Sequence, residues 1–172
     1  MAEDAKKRVL VVDDEADVRN FLKAALMEAG FDVVTASDGF EALDEIEKQV
    51  PDLISLDLVM PKKSGVKLYR DLNKNKAWKD IPIIIVTGHA RDDLGKADLK
   101  ELTMSGPGVY LEKPVRPDNY VAAVKGILGM ESTEDEKAIA QQVELQSNLK
   151  TMIDEADPET LRKIKEMLKG RN

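Results

Sequence analysis

Five short apolar runs recur along this chain, separated by stretches whose apolar residues return every three to four positions. Val9 to Val12, Phe31 to Thr35, Leu53 to Leu56, Ile81 to Val86 and Val109 to Leu111 have the length and composition of buried strands, and most are rich in β-branched residues. Pro82 fits only near a strand's start, because it has no N–H to give to a ladder. Between the runs, Val18, Phe21, Leu22, Ala25 and Leu26 mark one face of a helix over 16–29, closed by Gly30. Asp38 and Glu41 predict a capping box that opens a second helix through Ala42, Leu43 and Ile46, which Pro51 breaks. Val66, Leu68, Tyr69 and Leu72 turn inward from a third helix over 65–75, and Trp78 covers its end. Residues 91–104 are weakly helical, with Gly95 interrupting, and residues 106–108 make a turn. A further helix spans 118–128, ended by Gly129. Strand followed by helix, five times over, predicts a parallel sheet covered on both faces. Right-handed crossovers then bring every strand's carboxyl end to one edge.

The residues at those ends carry chemistry. Asp13 and Asp14 end the first strand, Asp57 the third, Thr87 the fourth and Lys113 the fifth. Asp57 closes an apolar run and is followed by Pro61 and Gly65, so it faces a loop at the edge where open α/β sheets bind ligands. A single aspartate so placed is most simply a cap, and Asp13-Asp14-Glu15 also suits a solvated helix start. Five such residues at one edge point elsewhere. Clustered carboxylates stay ionised only with a cation among them. Oxygen donors without His or Cys suit Mg²⁺, and Mn²⁺ accepts the same set. With a hydroxyl from Thr87 and an ammonium from Lys113, these are the parts of a phosphoryl-transfer site, with Asp57 as nucleophile.

Composition narrows the classes. The chain has 172 residues, a net charge of −7 and no cysteine. That length allows one domain with an extension. The charge disfavours nucleic acid and anionic membranes as partners, and disulfides and thiolate chemistry are excluded. No apolar run reaches membrane-spanning length, and residues 1–8 are too charged for a secretory signal. The expected location is the cytoplasm.

Residues 131–172 read differently from what precedes them. One helix is expected over 134–153, with Ile139, Val143, Leu145, Leu149 and Ile153 apolar. A second follows, capped by Asp157-Pro158, with Leu161, Ile164 and Leu168 on one face. Ten acids against seven bases here contribute −3 of the total charge. The expected organisation is a domain over 1–130 and a two-helix extension over 131–172, serving for packing or homodimerisation.

Asp13-Asp14, Asp57, Thr87 and Lys113-Pro114, in this order at successive strand ends, resemble the receiver domain of two-component response regulators over roughly residues 6–130. The resemblance implies a flavodoxin-like, doubly wound five-stranded sheet of order 2-1-3-4-5. It implies that Asp57 accepts a phosphoryl group from a histidine kinase or phosphotransfer protein. Asp13, Asp14, Asp57 and the backbone carbonyl of Val59 would hold Mg²⁺, while Thr87 and Lys113 would meet the phosphoryl oxygens. Thr87 and Tyr110 match the pair that switches on activation, although Tyr110 reads equally well as a half-buried strand tyrosine. A cis peptide is implied at Lys113-Pro114. The interval from Thr87 to Lys113 is a few residues longer than a compact receiver needs. Such a domain phosphorylates and dephosphorylates itself rather than turning over a substrate, and signals to a downstream protein. Three rivals are a transcriptional regulator binding DNA through a minimal C-terminal motif, which the tail's acidity disfavours, an aspartyl-phosphate phosphatase, and a degenerate receiver used only as a binding module, which the intact five-residue set disfavours.

Overall fold

The computed structural model describes residues 5–58, 60, 65–88, 109–130, 132–155 and 157–169, with backbone alone at Thr87, Tyr110, 147–155, Ile164 and Leu168. The expected weak helix over 91–104, the turn at 106–108 and the Val59 carbonyl lie outside the described residues. Strands β1 (Arg8–Val12), β2 (Asp32–Ala36), β3 (Leu53–Leu56), β4 (Ile83–Thr87) and β5 (Val109–Glu112) form one sheet. Its order is β2-β1-β3-β4-β5, and every pairing is parallel. Helices α1 (Ala16–Glu28), α2 (Gly39–Lys48), α3 (Gly65–Lys74) and α4 (Pro117–Ile127) cover its faces, followed by α5 (Glu134–Glu155) and α6 (Pro158–Lys169).

Alternation along the strands divides the interior into two layers. Leu10, Val12, Ile54, Leu56, Ile83 and Ile85 face one way, against Ala42 and Ile46 of α2 and Leu68, Tyr69 and Leu72 of α3. Trp78 and Ile81 pack at the margin of this layer, as a cover at the end of α3 would. Val9, Val11, Leu53, Ile84, Val86 and Val109 face the other way, against Leu22 and Leu26 of α1 and Tyr120 and Val124 of α4.

Local details differ from expectation at three places. β2 runs one residue later than the sequence suggested, because Phe31 leaves the ladder and is buried in the second layer. β4 begins after Pro82, whose carbonyl instead accepts from the Ile54 N–H at 2.9 Å. At the start of α2, Asp38 accepts from the N–H groups of Phe40 and Glu41, both at 2.9 Å. The return bond of Glu41 goes to Ser37, at both its N–H and hydroxyl, rather than to Asp38.

The tail is tied to the sheet. α5 packs along α4 and β5, and Val143 is buried in the same layer as Val9 and Val86, with Ile139 packed against it. A Cβ on Gly126 of α4 would lie 3.3 Å from the Ala140 Cβ, so the two helices approach closely there. Thr133 and Glu136 form a reciprocal capping box at the start of α5. Lys125 reaches across from α4 to Glu136 at 2.9 Å. That hydrogen bond, with the Thr133 N–H, holds the Glu136 carboxyl below its ordinary pKa. Its contribution to docking is therefore present above the usual glutamate range and fades as pH falls through the lowered value. Leu145 was expected on the packed stripe but is 61% exposed, being two residues from Val143 and so on another face of the helix. Val143→Ala should therefore cost about 1.5–3 kcal/mol in urea unfolding, the worth of a buried valine side chain. Leu145→Ala should stay within about 0.5 kcal/mol. Equal losses at both positions would contradict this packing.

Candidate functional site

Main-chain ladders carry the two buried acids to the sheet's carboxyl edge. The Asp13 N–H donates to the Ala36 carbonyl at 3.1 Å, and the Asp57 N–H to the Val12 carbonyl at 3.0 Å. Each extends its strand's pairing by one step beyond β1 or β3, so neither backbone can drift. Asp13 is 2% exposed and Asp57 4%. Carboxylates so deeply placed need a countercharge.

Lys113, next after β5, supplies it. Its ammonium lies 2.7 Å from Asp13 Oδ2, 3.3 Å from Asp57 Oδ2 and 3.4 Å from Glu15 Oε1. Burial works to lower the lysine pKa, but Asp13 and Asp57 outweigh it and hold the group above its ordinary value. The Lys113-Pro114 peptide is cis. Asp13 is further oriented by the Glu15 N–H, which donates to its Oδ1 at 2.9 Å. Arg19, one turn into α1, donates to the Asp13 carbonyl at 2.8 Å.

Asp13, Asp14 and Asp57 each offer a carboxylate oxygen, and these atoms lie within 4.8 Å of one another. Asp13 Oδ2 is met by the Lys113 ammonium at 2.7 Å. An all-oxygen set with two buried carboxylates fits a hard divalent cation, and Asp14, exposed at the rim, leaves water room in the shell. The backbone places Thr87 at the end of β4, opposite Glu112 of β5, and Tyr110 in mid-strand opposite Ile85. Their side chains, and the Val59 carbonyl, lie outside what is described.

Of the residues expected to converge, the structure thus gathers Asp13, Asp14, Asp57 and Lys113 by side chain and Thr87 by backbone. Two others were not anticipated. Glu15 joins the lysine from the rim; the third acid of the Asp13-Asp14-Glu15 run was the available signal. Tyr120, from α4, lies wholly buried, hydroxyl included, in the layer built by Val9, Val11 and Leu53. Burial raises the pKa of that hydroxyl, Ser55 opposes the rise by hydrogen bonding, and the Asp13 charge adds to it. Nothing in the sequence separates this tyrosine from an ordinary core aromatic.

Comparison with known proteins agrees with this arrangement. The response regulator receiver domain profile matches residues 9–125. Over 123 residues the chain is 41% identical to the alkaline phosphatase synthesis transcriptional regulatory protein PhoP of Bacillus subtilis, covering 71% of this chain and 48% of that protein. It is 36% identical over 132 residues to the phosphate regulon transcriptional regulatory protein PhoB of Pseudomonas aeruginosa, covering 77% and 56%. The chain thus spans about half the length of the curated relatives it matches. Among solved structures, the chemotaxis protein CheY4 of Vibrio cholerae superposes with a TM-score of 0.63 at 28% identity, over 72% of this chain and 99% of that one. A buried carboxylate pair clamped by one lysine at the edge of a 2-1-3-4-5 sheet, together with the profile match over most of the chain, shows that this protein belongs to the response regulator receiver domain family of two-component signalling.

Proposed function

We propose that the protein is a phosphorylation-dependent switch in which Asp57 takes a phosphoryl group from the phosphohistidine of a histidine kinase or phosphotransfer protein. The observation that carries this reading is the sharing of one half-buried ammonium among Asp13, Glu15 and Asp57. An Asp57 oxygen attacks phosphorus, the P–N bond breaks, and its electron pair stays on the departing imidazole, which takes up a proton. Asp13, Asp14, Asp57 and the Val59 carbonyl would hold Mg²⁺ or Mn²⁺. When bound, the cation neutralises charge on the phosphoryl oxygens. Lys113, already 3.3 Å from Asp57, is placed to pair with the transferred group, and Thr87 would donate its hydroxyl from the end of β4. Movement of Thr87 with Tyr110 would carry the added charge into a changed surface. The protein would label once per Asp57 and lose the label by hydrolysis, without turnover of a small phosphate ester.

Residues 1–130 would form the receiver and 131–172 its extension. Output from residues 131–172 would pass by protein contact in the cytoplasm, since that extension carries −3 of the net charge and is ill suited to a phosphate backbone. Leu161 and Met167 of α6 are exposed apolar side chains that a downstream protein or a second copy would cover. No helix among the described residues is long and apolar enough to cross a membrane. Incubation with a phosphorylated histidine kinase should give a hydroxylamine-labile label on wild type and none on Asp57→Asn; retained label on the variant would overturn the assignment.

A further inference from the structure

Residues 131–172 divide sharply by charge. The stretch 131–157 holds eight acids and two bases, a net −6, whereas 158–172 holds two acids and five bases, a net +3. The basic part contains α6, and all of its described side chains are exposed. A helix of 12 residues is marginal in water by itself and is normally held by packing an apolar face. Leu161, Ile164 and Leu168 recur at the i, i+3, i+7 spacing of such a face, and each is followed directly by a base: Arg162, Lys165 and Lys169. Within the helix, Lys163 is matched by Glu159 at 3.5 Å.

The complement of this face lies in the acidic part. α5 is fixed to the domain by Ile139 and Val143 and by the Lys125–Glu136 pair, while Leu145 is exposed on another of its faces. Leu149 and Met152 follow Leu145 at i+4 and i+7, the spacing of a shared helix face. Steps of four then three on α5, against three then four on α6, coincide when the two helices run in opposite directions. The two stripes are also equally long, 145–152 and 161–168. The same chain's α5 does not cover α6 in this fold, because the described side chains of α6 are exposed. A phosphate-rich surface, nucleic acid or anionic lipid, would meet the −6 of the adjoining segment together with the +3. A second copy supplies both matching spacing and opposite charge.

We propose that the tail is a two-fold interface in which α6 of each copy lies antiparallel on the Leu145 face of the other copy's α5. The contact is made twice, as a self-complementary pairing requires. Because α5 is anchored to its own domain through Val143, joining the tails joins two receivers. The proposal rests on the reading of residues 131–172 as an extension beside the receiver, and takes a second copy rather than a downstream protein as what covers α6. It is independent of the chemistry assigned to Asp57.

Sedimentation equilibrium of the full chain over a concentration series tests this. Wild type should reach twice the chain mass, and salt should weaken the dimer severalfold by screening the opposed charges. Leu145→Glu and Leu161→Glu should each raise the dimer dissociation constant about a hundredfold or more, since symmetry puts the new carboxylate into both contacts. Both leucines are exposed in the single chain, so the thermal midpoint of the receiver should hold in each variant. An equimolar mixture of the two variants should recover a dimer, because one chain keeps an intact α6 and the other an intact α5 face. Dimeric Leu145→Glu alone would mean that α6 pairs with α6, dimeric Leu161→Glu alone that α5 pairs with α5, and either overturns the proposal. So does a mixture that stays monomeric, a dimer indifferent to salt, or wild type that is monomeric throughout, whether or not it binds anionic vesicles or duplex DNA. None of these results touches the Asp57 labelling, and loss of that labelling in a dimeric protein would strike the switch reading alone.

Discussion

Replacing Lys113 with methionine should lower folding stability at neutral pH by about 3–5 kcal/mol, the usual penalty for stranding a buried charge by removing its partner. Here two buried acids lose their ammonium at once, Asp13 at 2% and Asp57 at 4% exposure, and methionine keeps the stem's packing while deleting the charge. The carboxylates would then repel, and the site would favour either a proton or a metal cation. Mg²⁺ should accordingly raise the thermal midpoint of Lys113→Met by more than it raises that of wild type. The lysine also sets a pH signature. Because its pKa is raised above 10.5 in the folded state, its stabilisation is present below that value and is lost as pH climbs through the raised one. Wild type should weaken in that alkaline window, and Lys113→Met should lack the step. A variant as stable as wild type without Mg²⁺ would mean that the lysine does not neutralise the pair.

Gly65→Ala should produce the second large effect, and for a reason of space alone. A Cβ at residue 65 would fall onto the Asp57 carbonyl oxygen and lie 2.7 Å from Leu58 Cα and 2.8 Å from the Asp57 carbonyl carbon. All are backbone atoms, so no side chain can turn aside. The Gly65 N–H also donates to the Leu58 carbonyl at 3.1 Å, fixing the start of α3 against the end of the Asp57 strand. The expected loss exceeds the roughly 1–3 kcal/mol of ordinary overpacking. Labelling of Asp57 should slow about a hundredfold if the nucleophile shifts by an ångström. Gly88→Ala is the control, because no atom of the described residues lies within 4 Å of a Cβ there. Equal stability and labelling rates for both variants would refute the clash.

Much of the scaffold was legible from periodicity. Runs such as Val9 to Val12 and Ile83 to Val86 can be buried on both faces only in a covered parallel sheet, and that sheet puts Asp13, Asp57 and Lys113 at one edge. The boundary shifts at Phe31 and Pro82 are of the kind periodicity does not resolve, since one residue's displacement leaves the apolar count unchanged. The tail was legible as two helices but not as to where it sits. Ile139, Val143 and Leu145 are all apolar letters, and only the approach of α5 to α4 and β5 separates the buried valine from the exposed leucine.

By itself, then, the order of strand-ending residues determined the fold class and named the acids, the hydroxyl and the lysine, because alternation and crossover handedness are local rules that act on every strand alike. Tertiary structure alone decided that one ammonium serves Asp13, Glu15 and Asp57 together and that Gly65 touches the Asp57 backbone. Those are meetings between residues as far as 98 positions apart. They depend on how closely helices seat on the sheet, which side-chain volumes settle jointly and no single stretch of sequence encodes.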